Sequence, residues 1–108
     1  GASNDEVREL ADRLRERSGG RYVCVEAAFL ELAQPSIPDG IECCIRQGSR
    51  EVVVLPYFLS AGRHVVTDIP EEVAGKRDQY PDIPIHIAPY LGQSEALADI
   101  LLGQAATA

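Results

Sequence analysis

Residues 51–70 read EVVVLPYFLSAGRHVVTDIP, and this stretch decides the fold. Val52, Val53, Val54 and Leu55 do not alternate with polar residues. The run therefore predicts a strand over Glu51–Leu55 with both faces covered, the mark of a parallel sheet between helices. Pro56 breaks it, and Ser60, Gly62, Arg63, His64 and Asp68 follow. Open α/β sheets bind ligands outside the carboxyl ends of their strands. His64 is one of 2 histidines in the chain, so this segment is where chemistry is expected.

Working upstream, Ile37, Ile41, Cys44 and Ile45 recur at helical spacing, with Ser36 as N-cap, Asp39 three residues on and Gly48 as the stop. Glu31 to Gln34 form a connection before Pro35. Tyr22 to Phe29 is rich in β-branched and aromatic residues and predicts a strand. Val7, Leu10, Ala11 and Leu14 mark a first helix that Gly19-Gly20 ends, and Ser3-Asn4-Asp5-Glu6 has the form of a capping box. Downstream, a helix is expected to begin between Arg63 and Asp68, with Pro70 in its first turn, and to run toward Gln79. Ile83 to Ala88 is a short strand. Ser94 can cap a last helix carrying Leu97, Ile100 and Leu101, and Ala105 to Ala108 reads as a frayed tail. The order α-β-α-β-α-β-α predicts one α/β domain with right-handed crossovers and helices on both faces. It opens with a helix where this class normally opens with a strand.

The chain of 108 residues suffices for one core, and 45% apolar content fits a folded protein. A net charge of −7 argues against nucleic acid as a partner and mildly against anionic membranes. No apolar run approaches the roughly 18–20 residues that cross a bilayer. A cytoplasmic protein is expected. Nine arginines and the single Lys76 make up the 10 basic residues, and the guanidinium fork suits carboxylates. Cys24, Cys43 and Cys44 lack a CxxC spacing and read as buried thiols, Cys24 in a strand and the others in a helix.

PYFLSAGRHVVTDIP (residues 56–70), AAFLELAQPSI (27–37) and APYLGQSEAL (88–97) together resemble the small CbiX-type sirohydrochlorin chelatases, and the first of the three is the specific part. The resemblance covers nearly the whole chain. It implies a flavodoxin-like, three-layer α/β half-domain with a mostly parallel sheet, spanning residues 1–108. It also implies insertion of Co2+ or Fe2+ into sirohydrochlorin without ATP, toward sirohaem or cobalamin. The metal is then substrate, with no permanently bound cofactor. Members of this length pair as homodimers. The family site uses two histidines, one in a GHGS-like turn after the first strand and one in the segment matched here by Gly62-Arg63-His64-Val65. The first strand and its histidine do not stand in this sequence, so an N-terminally incomplete domain is expected. Gly1-Ala2-Ser3 could be the remnant of that turn.

Metal insertion requires two pyrrole N–H protons to leave while a divalent ion is held loosely nearby. Neutral imidazole suits either task and is a borderline ligand for both metals. His64 is thus the candidate catalytic residue, as proton acceptor or metal ligand. Asp68, four residues on, either orients the ring or caps the helix holding Pro70. Arg63 could fork onto a substrate carboxylate, with Ser60, Ala61 and Gly62 allowing close approach. Glu31 follows the Tyr22–Phe29 stretch and could be a second metal-handling carboxylate on the same rim, or a surface residue. Tyr57 and Phe58 offer a flat apolar wall, or core packing. His86, between Ile85 and Ile87, reads as a packed histidine with one hydrogen bond. The alternative function is a non-catalytic module of the same fold that holds tetrapyrrole or metal. A flavodoxin-like regulatory domain ranks lowest, because neither an Asp-rich phosphoacceptor pocket nor a flavin phosphate loop is visible.

Overall fold

The computed structural model describes residues 2–108. The proposed remnant turn includes Gly1, which lies outside the described residues. The elements are α1 (Ala2–Ser18), α2 (Ile37–Arg46), β1 (Val52–Val54), a π-helical turn (His64–Asp68), α3 (Ile69–Gln79), β2 (Ile85–Ile87), a 3₁₀ turn (Leu91–Gln93) and α4 (Leu97–Ala106). α1 already includes Ala2, so Ser3 sits inside the helix and does not cap it. Gly19, Gly20 and Gly48 take the positive φ that stops a helix. Ser36 is the N-cap of α2, its Oγ accepting from Asp39 N–H at 3.2 Å.

β1 and β2 pair in parallel, Val52 against Ile85, Val53 against His86 and Val54 against Ile87. α2 and α3 pack on each other and on this pair. The core is Ile37, Ile41, Val52, Ile69, Val73 and Ile85. Each such side chain contributes about 1.5–3 kcal/mol on burial, so this block carries the hydrophobic stabilisation. Glu42 adds a polar strap between its two helices. It accepts from Lys76 Nζ at 2.7 Å, from Tyr80 Oη at 2.6 and 2.8 Å and from Arg46 Nε at 3.0 Å. The bonds from Lys76, Tyr80 and Arg46 lower its pKa to about 2.

Three strand expectations need correction. Tyr22–Phe29 is not a strand; only Phe29 forms a bridge, to Ser36. Strand propensity is realised through a hydrogen-bonded neighbour, and among the described residues no ladder runs beside residues 22–28. A groove of about 1730 Å³ is instead lined both by this extended segment and by β1 with its continuation to Phe58. Second, β1 is not covered on both faces: Val52 is buried, but Val53 is 49% exposed. Third, His86 is not packed; it lies on the open side of β2 and pairs with Glu51 at 2.8 Å.

α1 buries only Ala11 among its described residues and is tied down by its arginines. Arg8 donates to Gln34 C=O at 3.2 Å and covers the Phe29 ring, and Arg15 donates to Val25 C=O. Its Val7, Leu10 and Leu14 line the groove, as does Ile100 of α4. Ser94 accepts from Ala96 N–H, in the turn before α4 rather than as its cap, and α4 continues through Ala105 and Ala106, which were expected to fray.

Candidate functional site

After β1 the chain stays extended and keeps its neighbour. Ala88 N–H bonds Val54 C=O, Leu91 N–H bonds Pro56 C=O and Gly92 N–H bonds Phe58 C=O, at 2.9, 3.1 and 3.0 Å. Gly92 is required for this approach, since a Cβ there would stand 1.8 Å from the Leu59 carbonyl oxygen. The chain leading to His64 is thereby fixed against the segment that follows β2.

The turn that carries His64 is π-helical: Ile69 N–H bonds His64 C=O, five residues back. Such turns are rare and recur at functional sites. His64 Nδ1 lies 2.8 Å from Asp68 Oδ2. A carboxylate only accepts, so Nδ1 carries the hydrogen, and in the neutral ring the lone pair lies on Nε2. Asp68 makes no capping bond to α3. Of its two sequence readings, ring orientation is the one its contacts support. The Phe58 ring stacks on the imidazole at 6.1 Å between centroids. Phe58, Tyr57, Tyr90 and Leu91 line the end of the groove beside this turn. Phe58 also packs against the core, as the packing reading of it has it.

Ser60, Ala61, Gly62, Arg63 and His64 are all exposed. Arg63 makes no side-chain hydrogen bond or ion pair among the described residues, which leaves its fork available. Glu31 is exposed in the loop after Phe29 and, among the described residues, makes no hydrogen bond or ion pair with His64 or Asp68, which bond each other. The physical reason is the missing ladder: residues 22–28 are not registered against β1, so Glu31 is not held on the His64 rim.

Sequence reasoning missed the Phe58 stack, the Gly92 clamp and the approach of Cys24, Glu26 and Cys43, whose candidate ligand atoms lie within 4.8 Å of one another. The clamp had a signal in the glycine of APYLGQSEAL. The thiol group had none in spacing, because its members come from two elements. The thiols are half-buried rather than fully buried, and Cys24 lies in an extended segment rather than a strand. Burial and the neighbouring Cys44 thiol raise the Cys24 pKa, and burial raises that of Cys44.

The chain is similar in sequence and fold to known proteins. The family model described as CbiX matches residues 1–108. The chloroplastic sirohydrochlorin ferrochelatase of Arabidopsis thaliana is 39% identical over 99 residues, covering 92% of this chain and 43% of that protein. A sirohydrochlorin cobaltochelatase of Priestia megaterium is 31% identical over 99 residues, covering 92% of this chain and 31% of its own length. The structure of SirB from Bacillus subtilis with Fe3+ superposes with a TM-score of 0.80 at 28% identity, covering 95% of this chain and 40% of that one. The chain thus spans less than half the length of these relatives. The superposition bears out the chelatase-like α/β fold.

Proposed function

From the premise that the chain belongs to the CbiX family, we propose that it acts in the insertion of Co2+ or Fe2+ into sirohydrochlorin. The observation that carries this reading is His64: an exposed imidazole after the exit of a parallel strand, with Nδ1 tied to Asp68 and Nε2 open. The relatives' names, ferrochelatase and cobaltochelatase, support the substrate and both metals.

In this reading Nε2 of His64 accepts a pyrrole proton or holds the incoming ion. Asp68 fixes the tautomer and stabilises the ring if it becomes charged. Phe58, Tyr57 and Tyr90 give the macrocycle flat apolar contact. Arg63 binds a peripheral carboxylate, and the exposed Ser60-Ala61-Gly62 run lets the substrate edge approach. Glu31, brought to the rim as residues 22–31 order, supplies a second carboxylate for the metal. The protein acts as a homodimer, since one cleft covers only one side of a flat pigment.

Anaerobic mixing of sirohydrochlorin with Co2+ or Fe2+ and the protein, followed by absorbance, tests this. His64→Ala is expected to slow insertion by about 10²–10⁴-fold with an unchanged circular dichroism spectrum. Asp68→Asn is expected to cost about 10–100-fold. An unaltered rate in His64→Ala would remove the imidazole from the mechanism. Pigment binding without insertion by the wild type would assign the alternative, a holding module. Sedimentation showing an active monomer would refute the dimer.

A further inference from the structure

Cys24 and Glu26 are two apart in the segment 22–28, and their ligand atoms approach that of Cys43 together. Facing them is α2. Gly40 comes so close that a Cβ on it would stand 3.1 Å from the Ala28 Cβ. One helical turn on, Cys43 Sγ lies 3.6 Å from Glu26 Oε1. Next to it Cys44 Sγ lies 2.7 Å from Cys24 Sγ. The segment and the helix thus run side by side, and their polar groups meet in register. Gln47 Nε2 donates to Cys43 Sγ at 3.2 Å, which holds that thiol toward the group.

We propose that Cys24, Glu26 and Cys43 form a binding site for a borderline divalent transition metal such as Zn2+ or Co2+. Two sulfurs and one carboxylate oxygen are the donor set such ions take. Their candidate ligand atoms lie within 4.8 Å of one another. Tetrahedral binding at about 2.3 Å to sulfur puts two sulfurs about 3.8 Å apart. Rotamer changes of about 1 Å therefore close the site. Binding releases one proton from each thiol to solvent, and the M2+ ion with three anionic donors carries a net charge of −1. The ion's charge overrides the burial that keeps Cys24 protonated. The fourth position opens toward solvent, because Glu26 is exposed.

The site is distinct from the one at His64. α2 ends at Arg46, where the chain turns toward the entry of β1, whereas His64 follows the exit of that strand. Its role is a clip. Residues 22–28 have no sheet partner among the described residues, and the metal ties them to a helix anchored in the core. The inference is independent of the chelatase reading.

The test is titration of the reduced, metal-free protein with Co2+ and Zn2+ alone, without pigment. Expected are one equivalent that carries thiolate-to-cobalt charge-transfer absorption, its displacement by Zn2+ and a higher melting temperature with metal. Cys43→Ser and Glu26→Gln should each weaken binding at least about tenfold. Glu26 is exposed, so its variant folds even if the cysteine variant does not. His64→Ala and Cys44→Ser should keep the signal. Absence of thiolate absorption overturns the site. So does a signal lost in His64→Ala, or one kept in Cys43→Ser and lost in Cys44→Ser, which would place the metal on the Cys24–Cys44 pair.

Discussion

The block formed by α2, β1, α3 and β2 is no more apolar in sequence than the region formed by α1, residues 22–30 and α4, yet their fates differ. In the first, Ile69 and Val73 are buried to 2% and 0% exposure. In the second, Tyr22 and Val23 remain more than half exposed, and Leu14, Val25 and Ile100 face the groove. Apolar content alone does not make a core; a facing surface does. β1 divides the two, with Val52 turned into the block and Val53 turned out of it. The candidate imidazole follows this strand. It is held by the packed block through Ile69, directly after Asp68, and by the Gly92 clamp. The open region supplies the groove beside it.

The sharpest way to break this contrast is to cut into both sides of it. Ile69→Ala should cost about 2–5 kcal/mol in denaturant unfolding. Val53→Ala, in the dividing strand, should stay within about 0.5 kcal/mol. Equal costs would mean that the outward face of β1 is covered in solution. Next, Gly92→Ala should cost about 1–3 kcal/mol, because the Leu59 backbone must move away. It should also perturb the Phe58–His64 stack, which quenching or ring-current shifts would detect. A neutral Gly92→Ala would show that the clamp is not needed. The smallest effect concerns the strap on the block. Glu42→Gln should lower the melting temperature at pH 7. Glu42 has a depressed folded pKa, so its contribution is present above the ordinary value of 4.5 and is lost as pH falls toward about 2. The gap between variant and wild type should close over that window. A gap independent of pH would assign the effect to shape rather than charge.

Where local chemistry decides the outcome, the residues could be read directly. Ser36 caps α2, Gly48 stops it, and Pro70 sits in the first turn of α3, because each acts within one turn of its own position. His64 and Asp68 four apart met because the intervening turn is helical. Tyr22–Phe29 misled because a strand needs a neighbour, which no local pattern supplies. His86 misled for a related reason: alternation with Ile85 and Ile87 gives its side but not whether that side is covered. The Cys24, Glu26 and Cys43 group was illegible because it depends on Gly40 letting α2 approach the extended segment.

The helices, the positions of β1 and β2, the family resemblance and the imidazole after the strand exit were legible in the residues themselves, since these follow from periodicity, caps and one specific motif. Only the tertiary structure decided which apolar faces are buried, which way the histidine ring is held, and that three ligand-type side chains meet at the side of α2. Those outcomes depend on contacts between residues far apart in the chain, and such contacts form only when packed surfaces bring them within a few ångströms.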